Sequence, residues 1–377
     1  MELVSKIART ISRPVRLKNA LIHVLTGFLE SSYQRGMLYT DRLLVLLLVP
    51  LAEILARMPG KRREKGGVAL WTYRHSGGVD QESIEKICLK DTLENFAGGD
   101  LPRSFFYWDS DRPVLGLGVD FYFKTIRLRP RMLVLSSYRT RVYYQPPAWL
   151  FVLLKWHGVK IVALWWDTCS DGFASSVGKI LDAVDVHVIM ENPLLRFAPS
   201  SDGEKLARKS LVAFSPFDPM QQMGPQDIDV AFFGQTGDYR GVRRKYLDYL
   251  LDSGVALYYS AYSKDQQCPQ DRYYEILKRS RIGINFSMSV SGHQLKARVF
   301  EVMHSGAMLL EERNDQIAVY FTEGMDYVAF SSEEEMVEKI RYYLQHEEER
   351  LAIARSGYLK VRSRFTGKQF WEMLLLQ

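Results

Sequence analysis

The segment Arg281–Glu312, RIGINFSMSVSGHQLKARVFEVMHSGAMLLEE, constrains this chain more than any other stretch. It predicts a short buried strand (Ile282–Phe286), a polar Ser/Gly loop, an amphipathic helix, a stop at Gly306 and a second buried strand (Ala307–Leu310). Leu295, Val299, Val302 and Met303 follow the i, i+4, i+7, i+8 spacing of a helix with one apolar face to lay on a sheet. Arg298 and Glu301 are three residues apart, so both project from one face of that helix. A cation and a carboxylate near a helix start, just after a glycine-containing loop, suit a ligand that carries both a phosphate and free hydroxyls. A nucleotide sugar has both.

The same alternation runs through the rest of the chain. Apolar strands are expected at Val68–Arg74, Phe105–Asp109, Met132–Tyr138, Lys160–Asp167 and Val186–Met190, with helices near Gln81–Phe96, Val119–Leu128 and Pro147–Trp156. A Pro-, Gly-, Gln- and Asp-rich stretch between Ser210 and Asp227 reads as a linker. Beyond it come a strand at Ile228–Gly234, a helix at Arg240–Asp252, a strand at Val255–Ser260 and a helix at Asp271–Lys278. Two strand–helix halves of similar size predict an α/β fold of two facing Rossmann-like domains with parallel sheets. Ligands of such sheets bind at the carboxyl ends of the strands, so a cleft between the halves is the expected site. A chain of 377 residues has the length for two such domains.

Charge separates one region from this pattern. Residues 1–65 carry twelve Lys/Arg and five Asp/Glu, a balance of +7, while the whole chain is +6. The remaining residues are therefore close to neutral, and the basic character belongs to an N-terminal extension. That extension also has two leucine-rich runs, Leu21–Leu29 and Leu43–Leu51, each shorter than the ~20 apolar residues that span a bilayer. Two readings of this helical extension fit: a hairpin packed on the body, or a peripheral anchor whose Lys/Arg face an anionic membrane surface. A true transmembrane segment is a third. A nucleic-acid arm is excluded as an expectation because the charge comes with leucine runs instead of polar linkers. The three cysteines, Cys88, Cys169 and Cys268, have neither zinc spacing nor a disulfide framework, which points to a reducing compartment.

Several further residues have the chemistry of a phosphate site. Gly234-Gln235-Thr236-Gly237 follows a strand and precedes a helix, where glycines let backbone N–H groups approach a phosphate. Arg240, Arg243 and Arg244 follow, and one of them could neutralise a diphosphate; a tight βα turn with a solvated basic helix is the plainer reading. Ser291-Gly292 could form a small anion nest beside His293. Gly77 and Gly78, with His75 nearby, would leave room for phosphates or an acceptor after the first strand, or form an ordinary turn. Arg298 is the preferred phosphate partner because its charge persists at any working pH, with Lys296 as an assistant. Asp109 and Asp111 have the spacing of a metal-holding pair but sit at the end of the second strand of the first half.

Tyr273–Leu277, Ile282–Ser287, Leu295–Glu301, Ser305-Gly306 and the tail Ser331–Thr366 together resemble the nucleotide-sugar-binding half of GT-B glycosyltransferases, most of all the group 1 branch with the CgeB-like spore-maturation proteins. The resemblance is clear from Asp227 to the C-terminus and present in outline over Val68–Pro199. It implies residues 1–66 as the extension, 67–215 as an acceptor domain, 216–360 as a nucleotide-sugar domain and 361–377 as a closing helix that crosses back to the first domain. It gives Glu301 the two ribose hydroxyls, and places a polar residue, here Asp167, near donor sugar and acceptor. An Asp there could act as general base in an inverting reaction. The retaining pattern has a Glu eight positions before the ribose Glu; this chain has His293 there, which leaves the stereochemistry open. The resemblance further implies no cofactor and no essential metal, the leaving diphosphate being met by Arg, Lys and helix dipoles. The expected activity is metal-independent glycosyl transfer from a nucleotide sugar to a glycan or lipid-linked acceptor, on the cytoplasmic side, in surface polysaccharide or glycoconjugate synthesis. A catalytically silent GT-B-like scaffold that binds a glycan or protein, and a nucleotide-sugar epimerase, are the alternatives.

Overall fold

Apolar runs such as VALWTY and MLVLS form strands whose successive residues are buried, so both faces are covered, the condition of a parallel sheet. The computed structural model describes residues 66–73, 86–97, 103–108, 122, 125, 126, 128, 130–136, 148–169, 173–192, 201–217, 225–237, 241–260, 268, 270–289 and 292–377. The basic extension, the pair Asp109/Asp111 and most of the helix expected at Val119–Leu128 lie outside these.

The first sheet contains β1 (Val68–Tyr73), β2 (Arg103–Trp108), β3 (Met132–Ser136), β4 (Lys160–Trp165), β5 (Val186–Ile189) and β6 (Ser210–Val212), in the order β2-β1-β3-β4-β5-β6. β1 runs parallel to both neighbours, with Leu70 opposite Phe105 on one side and Val134 on the other. Its helices are α1 (Thr92–Ala97, entered through a π-helical turn at Lys86–Asp91), α2 (Ala148–Trp156), α3 (Phe173–Ile180) and α4 (Ser201–Arg208). Neither α4 nor β6 is visible in the sequence pattern. β6 has three residues, too few for a period, and exists because its backbone pairs with β5 in the register His187–Ser210. The expected linker therefore begins as a strand and continues as core. Residues 213–217 are buried, and Phe214 meets the rings of Phe300, Phe365 and Phe370.

The second sheet contains β7 (Ile228–Phe233), β8 (Leu257–Ser260), β9 (Ser280–Asn285), β12 (Met308–Glu312) and β13 (Val328–Phe330), in the order β13-β12-β9-β7-β8, every neighbouring pair parallel. A two-residue hairpin, β10 (Met288–Ser289) and β11 (Gly292–His293), occupies the expected polar loop. The helices are α5 (Gly241–Asp252), α6 (Gln270–Arg279), α7 (Ala297–Ser305), α8 (Glu333–Gln345), α9 (Glu347–Arg364) and α10 (Gly367–Leu376). Val230, Phe232, Ile282, Ile284, Met308, Leu310, Met336 and Ile340 form the centre of its core. α7 ends on Gly306, whose left-handed φ of 85° returns the Gly306 N–H to the Met303 carbonyl. α7 lies close enough to β9 that a Cβ on Gly283 would come within 2.6 Å of Val302 Cγ1. Glycine is required there by packing rather than by backbone conformation.

The described residues of Met1–Tyr73, Gly99–Ala163 and Ser175–Val186 form one compact unit; those of Arg74–Gly98, Leu164–Ala174 and His187–Gln377 form another. Within the second, α10 starts from a Thr366/Gln369 capping box, and its Trp371 Nε1 donates to Thr92 Oγ1 at 2.9 Å. Among the described residues no helix is long and apolar enough to cross a membrane.

Candidate functional site

The carboxyl ends of β7, β9 and β12 and the start of α7 gather most of the candidate residues, all within the second compact unit. Gly234 closes β7 with φ 154°, a value that disfavours any side chain. A Cβ there would lie 3.0 Å from Phe232 Cζ and 3.5 Å from Arg298 Nη1. The glycine loop and the α7 arginine, 64 positions apart in sequence, are thus adjacent. Gly237 is exposed with open space around it, so its glycine is not a steric requirement of the fold.

Arg298 is partly buried, with its guanidinium 5.9 Å from the Phe232 ring centre and Nη1 donating to Asn285 Oδ1 at 3.4 Å. Its charge also acts on two buried carboxyls, Glu301 and Glu311. Glu301 accepts a hydrogen bond at Oε2 from the Tyr273 hydroxyl. Burial pushes the Glu301 carboxyl above the usual range, while Arg298 and the Tyr273 bond pull it back. An ionised carboxylate has about four acceptor positions, so one tyrosine bond does not exhaust it. Lys296 stands at the N-cap of α7 and adds a weaker positive influence on Glu311.

Arg243 faces protein rather than an open site. It is buried, and its guanidinium donates to the carbonyls of Met288 at 2.8 Å, Phe286 at 3.4 Å and Gln235 at 3.4 Å. This ties the glycine loop to the end of β9 and to the hairpin. Arg244 pairs with Asp248 on the exposed side of α5.

His293 sits on β11, half-buried, with Nδ1 2.7 Å from Ser287 Oγ. Gly292 beside it has φ 120°. The turn after β4 reaches the same hairpin: Cys169 N–H donates to Gln294 Oε1 at 3.0 Å, and its thiol approaches the His293 carbonyl at 3.7 Å. Asp167 is two residues before that contact, so the structure brings the Asp167 turn and the His293 hairpin together. His75, Gly77, Gly78, Arg240 and Ser291 lie outside the described residues. Among the described residues no group of three or more His, Cys, Asp or Glu is arranged to hold a metal ion.

Sequence reasoning missed five participants: Tyr273, Asn285, Ser287, Glu311 and Glu312. β12 runs through Glu311 and Glu312, two residues past the expected end, and both are buried. Charged residues normally end a buried strand, but each of these has a partner. Asn285 Nδ2 donates to Glu311 Oε2 at 2.8 Å, and Met288 N–H donates to Glu312 Oε2 at 2.8 Å. The available signal was the polar residues themselves at two adjacent strand ends.

Residues 220–375 match the family model described as glycosyl transferase-like. No curated protein matches the chain. Among solved structures, Anabaena Alr3699/HepE in complex with UDP and glucose is similar with a TM-score of 0.55 and 11% identity, over 82% of this chain and 98% of that one. The sucrose-phosphate synthase of Thermosynechococcus elongatus is similar at 0.53 and 9%, over 83% and 97%. A glycosyltransferase from Rickettsia africae is similar at 0.52 and 11%, over 83% and 98%. At such identities the likeness establishes the fold: the chain has the GT-B fold, built on two Rossmann-like parallel sheets.

Proposed function

We propose that this protein is a glycosyltransferase that takes a sugar from a nucleoside diphosphate sugar and passes it to a glycan or lipid-linked acceptor. The observation that carries the reading is the meeting of Gly234, Arg298 and Glu301 at the strand ends of the second sheet. Arg298 offers positive charge to a diphosphate, Gly234 lets that phosphate approach the backbone, and Glu301 offers acceptors to ribose hydroxyls. Support also comes from the glycosyl transferase-like match over 220–375 and from the UDP and glucose bound to the similar Anabaena protein.

The chemistry follows from these roles. Breaking the sugar–phosphate bond places charge on the departing diphosphate, and fixed donors stabilise that charge as it grows. Arg298 meets this need without a metal. This reading gives Asp167 the role of taking a proton from an acceptor hydroxyl and His293 that of contacting the sugar. The CgeB-like branch, with surface polysaccharide or glycoconjugate synthesis as its setting, is the subfamily this reading favours.

The test is a panel of UDP-, GDP- and ADP-sugars assayed for thermal stabilisation and slow donor hydrolysis. Stabilisation by one base series together with release of free sugar is the expected result. Binding without turnover in the presence of glycan acceptors, or isomerised donor, would overturn the transferase reading.

A further inference from the structure

Ser287, His293 and Glu312 meet where β9 gives way to the hairpin. Ser287 Oγ is 2.7 Å from His293 Nδ1 and 3.4 Å from both the carbonyl oxygen and Oε2 of Glu312. The Met288 N–H at 2.8 Å fixes that carboxylate, and Gln294 N–H holds the other side of the hairpin through the Ser287 carbonyl at 3.0 Å. Ser287 is fully buried and Glu312 nearly so, while the His293 ring is half-buried. Among the described residues no protein group is bonded to His293 Nε2.

The protons of this cluster can be placed by counting donors. A serine hydroxyl has one proton and two lone pairs, whereas carbonyl and carboxylate oxygens only accept. If Ser287 gave its proton to Nδ1, two acceptor oxygens of Glu312 would face the hydroxyl's lone pairs. If Ser287 gives it to one of the two Glu312 oxygens instead, His293 donates from Nδ1–H to Oγ, and only one acceptor contact is left in place of two. That arrangement leaves Nε2 of the neutral imidazole with a free lone pair.

We infer that Ser287 and Glu312 are positioning residues that hold His293 in its Nδ1–H form, so that Nε2 accepts a hydrogen bond from a sugar hydroxyl. This role for Nε2 rests on the sugar-transfer reading of the site; the proton placement rests on the geometry alone. The array runs from the His293 imidazole through the Ser287 hydroxyl to the Glu312 carboxylate, the first two donating toward the acid. A ring so held cannot turn over without losing its Nδ1 bond, and its outward nitrogen is an acceptor before any ligand arrives.

The full chain labelled with 15N-histidine tests this, with His293→Gln used to assign the His293 signals. At pH 8 the wild type should show a protonated Nδ1 and an unprotonated Nε2, and Ser287→Ala should move the ring toward Nε2–H. UDP, GDP and ADP binding, measured separately by calorimetry, should persist in Ser287→Ala, while donor hydrolysis falls about tenfold. An Nε2–H ring in the wild type with nucleotide binding intact would overturn the array and leave the transfer reading standing. Failure of the wild type to bind any of the three nucleotides would overturn the transfer reading, and with it the role given to Nε2. Unchanged hydrolysis in a Ser287→Ala protein whose ring has switched form would overturn the positioning role.

Discussion

Asn285 and Glu311 face each other across the β9–β12 pair, and the asparagine amide bridges the Glu311 carboxyl and the Arg298 guanidinium. Its Nδ2 donates to Glu311 Oε2 at 2.8 Å, and its Oδ1 accepts from Arg298 Nη1 at 3.4 Å. Arg298 Nη1 is thereby held against a neutral amide at the end of β9.

Burial holds the Glu311 carboxyl well above the usual range, with Glu312 adding to the effect and the Asn285 bond and Arg298 opposing it. A carboxyl raised in the folded state keeps its proton while the unfolded chain ionises, so its contribution to stability is full below pH ~4.5 and is lost as pH rises through the folded value. Glu311→Gln should therefore raise the melting temperature at pH 8 and change it little at pH 4. A melting-temperature difference that stays constant across this range would show that Glu311 is ionised in the fold.

Arg298 and Glu301 should separate by ligand. Arg298→Ala should weaken nucleoside diphosphate binding by about 10- to 100-fold, the ~1.5–3 kcal/mol of a hydrogen bond to a charged group, and leave nucleoside binding nearly unchanged. Glu301→Gln should weaken nucleoside and nucleoside diphosphate by the same factor. Calorimetry on the two variants with both ligands checks the assignment, and an Arg298→Ala protein that loses both ligands equally would contradict it.

Gly283→Ala should destabilise the protein by about 1–3 kcal/mol, because the new methyl meets Val302 and α7 must shift. The same shift carries Arg298 and Glu301 with it, so nucleotide affinity should fall in the fraction that folds. Urea titration measures the first effect and calorimetry on the folded variant the second. Gly237→Ala, with open space around it, should leave stability unchanged.

His304 is buried with Nε2 3.3 Å from the Phe365 carbonyl, and burial pulls its pKa down to about 4. Between that value and 6.5 the unfolded chain binds a proton that the fold refuses, so stability is lost as pH falls through this window, by roughly 3 kcal/mol in full. His304→Gln should flatten the loss. Melting temperatures from pH 7 to pH 4 in wild type and variant give the comparison, and parallel curves would remove His304 as the source.

If, as proposed, Arg298 meets the charge of the diphosphate, donor hydrolysis should be unchanged in excess chelator. Activity lost in chelator and restored by a divalent ion would transfer that role to a metal.

Most strands and helices were legible because their apolar periods are long and uninterrupted. The GINFS strand and the α7 helix fall within two residues of their expected places. Besides the eight-residue helices α3 and α4, the elements that escaped were shorter still: β6, the β10–β11 hairpin and the last two residues of β12. The short strands have no period of their own, and each exists through a pairing or hydrogen bond supplied from elsewhere in the chain. The candidate site divides in the same way. Arg298 and Glu301 could be read because one helix sets their spacing. Arg243 could not be assigned, since an arginine after a glycine loop looks alike whether it turns to a ligand or to the Met288 carbonyl.

By itself the sequence determined the parallel α/β plan and the helix that presents a cation and an acid on one face, because both follow from local spacing. Only the tertiary structure decided that Gly234 touches Arg298, that Tyr273 reaches Glu301, and that Asn285 stands between Arg298 and Glu311. Those are relations between strand ends, fixed by the order and register of the sheet, and register is set by the packing of the whole core rather than by any one segment.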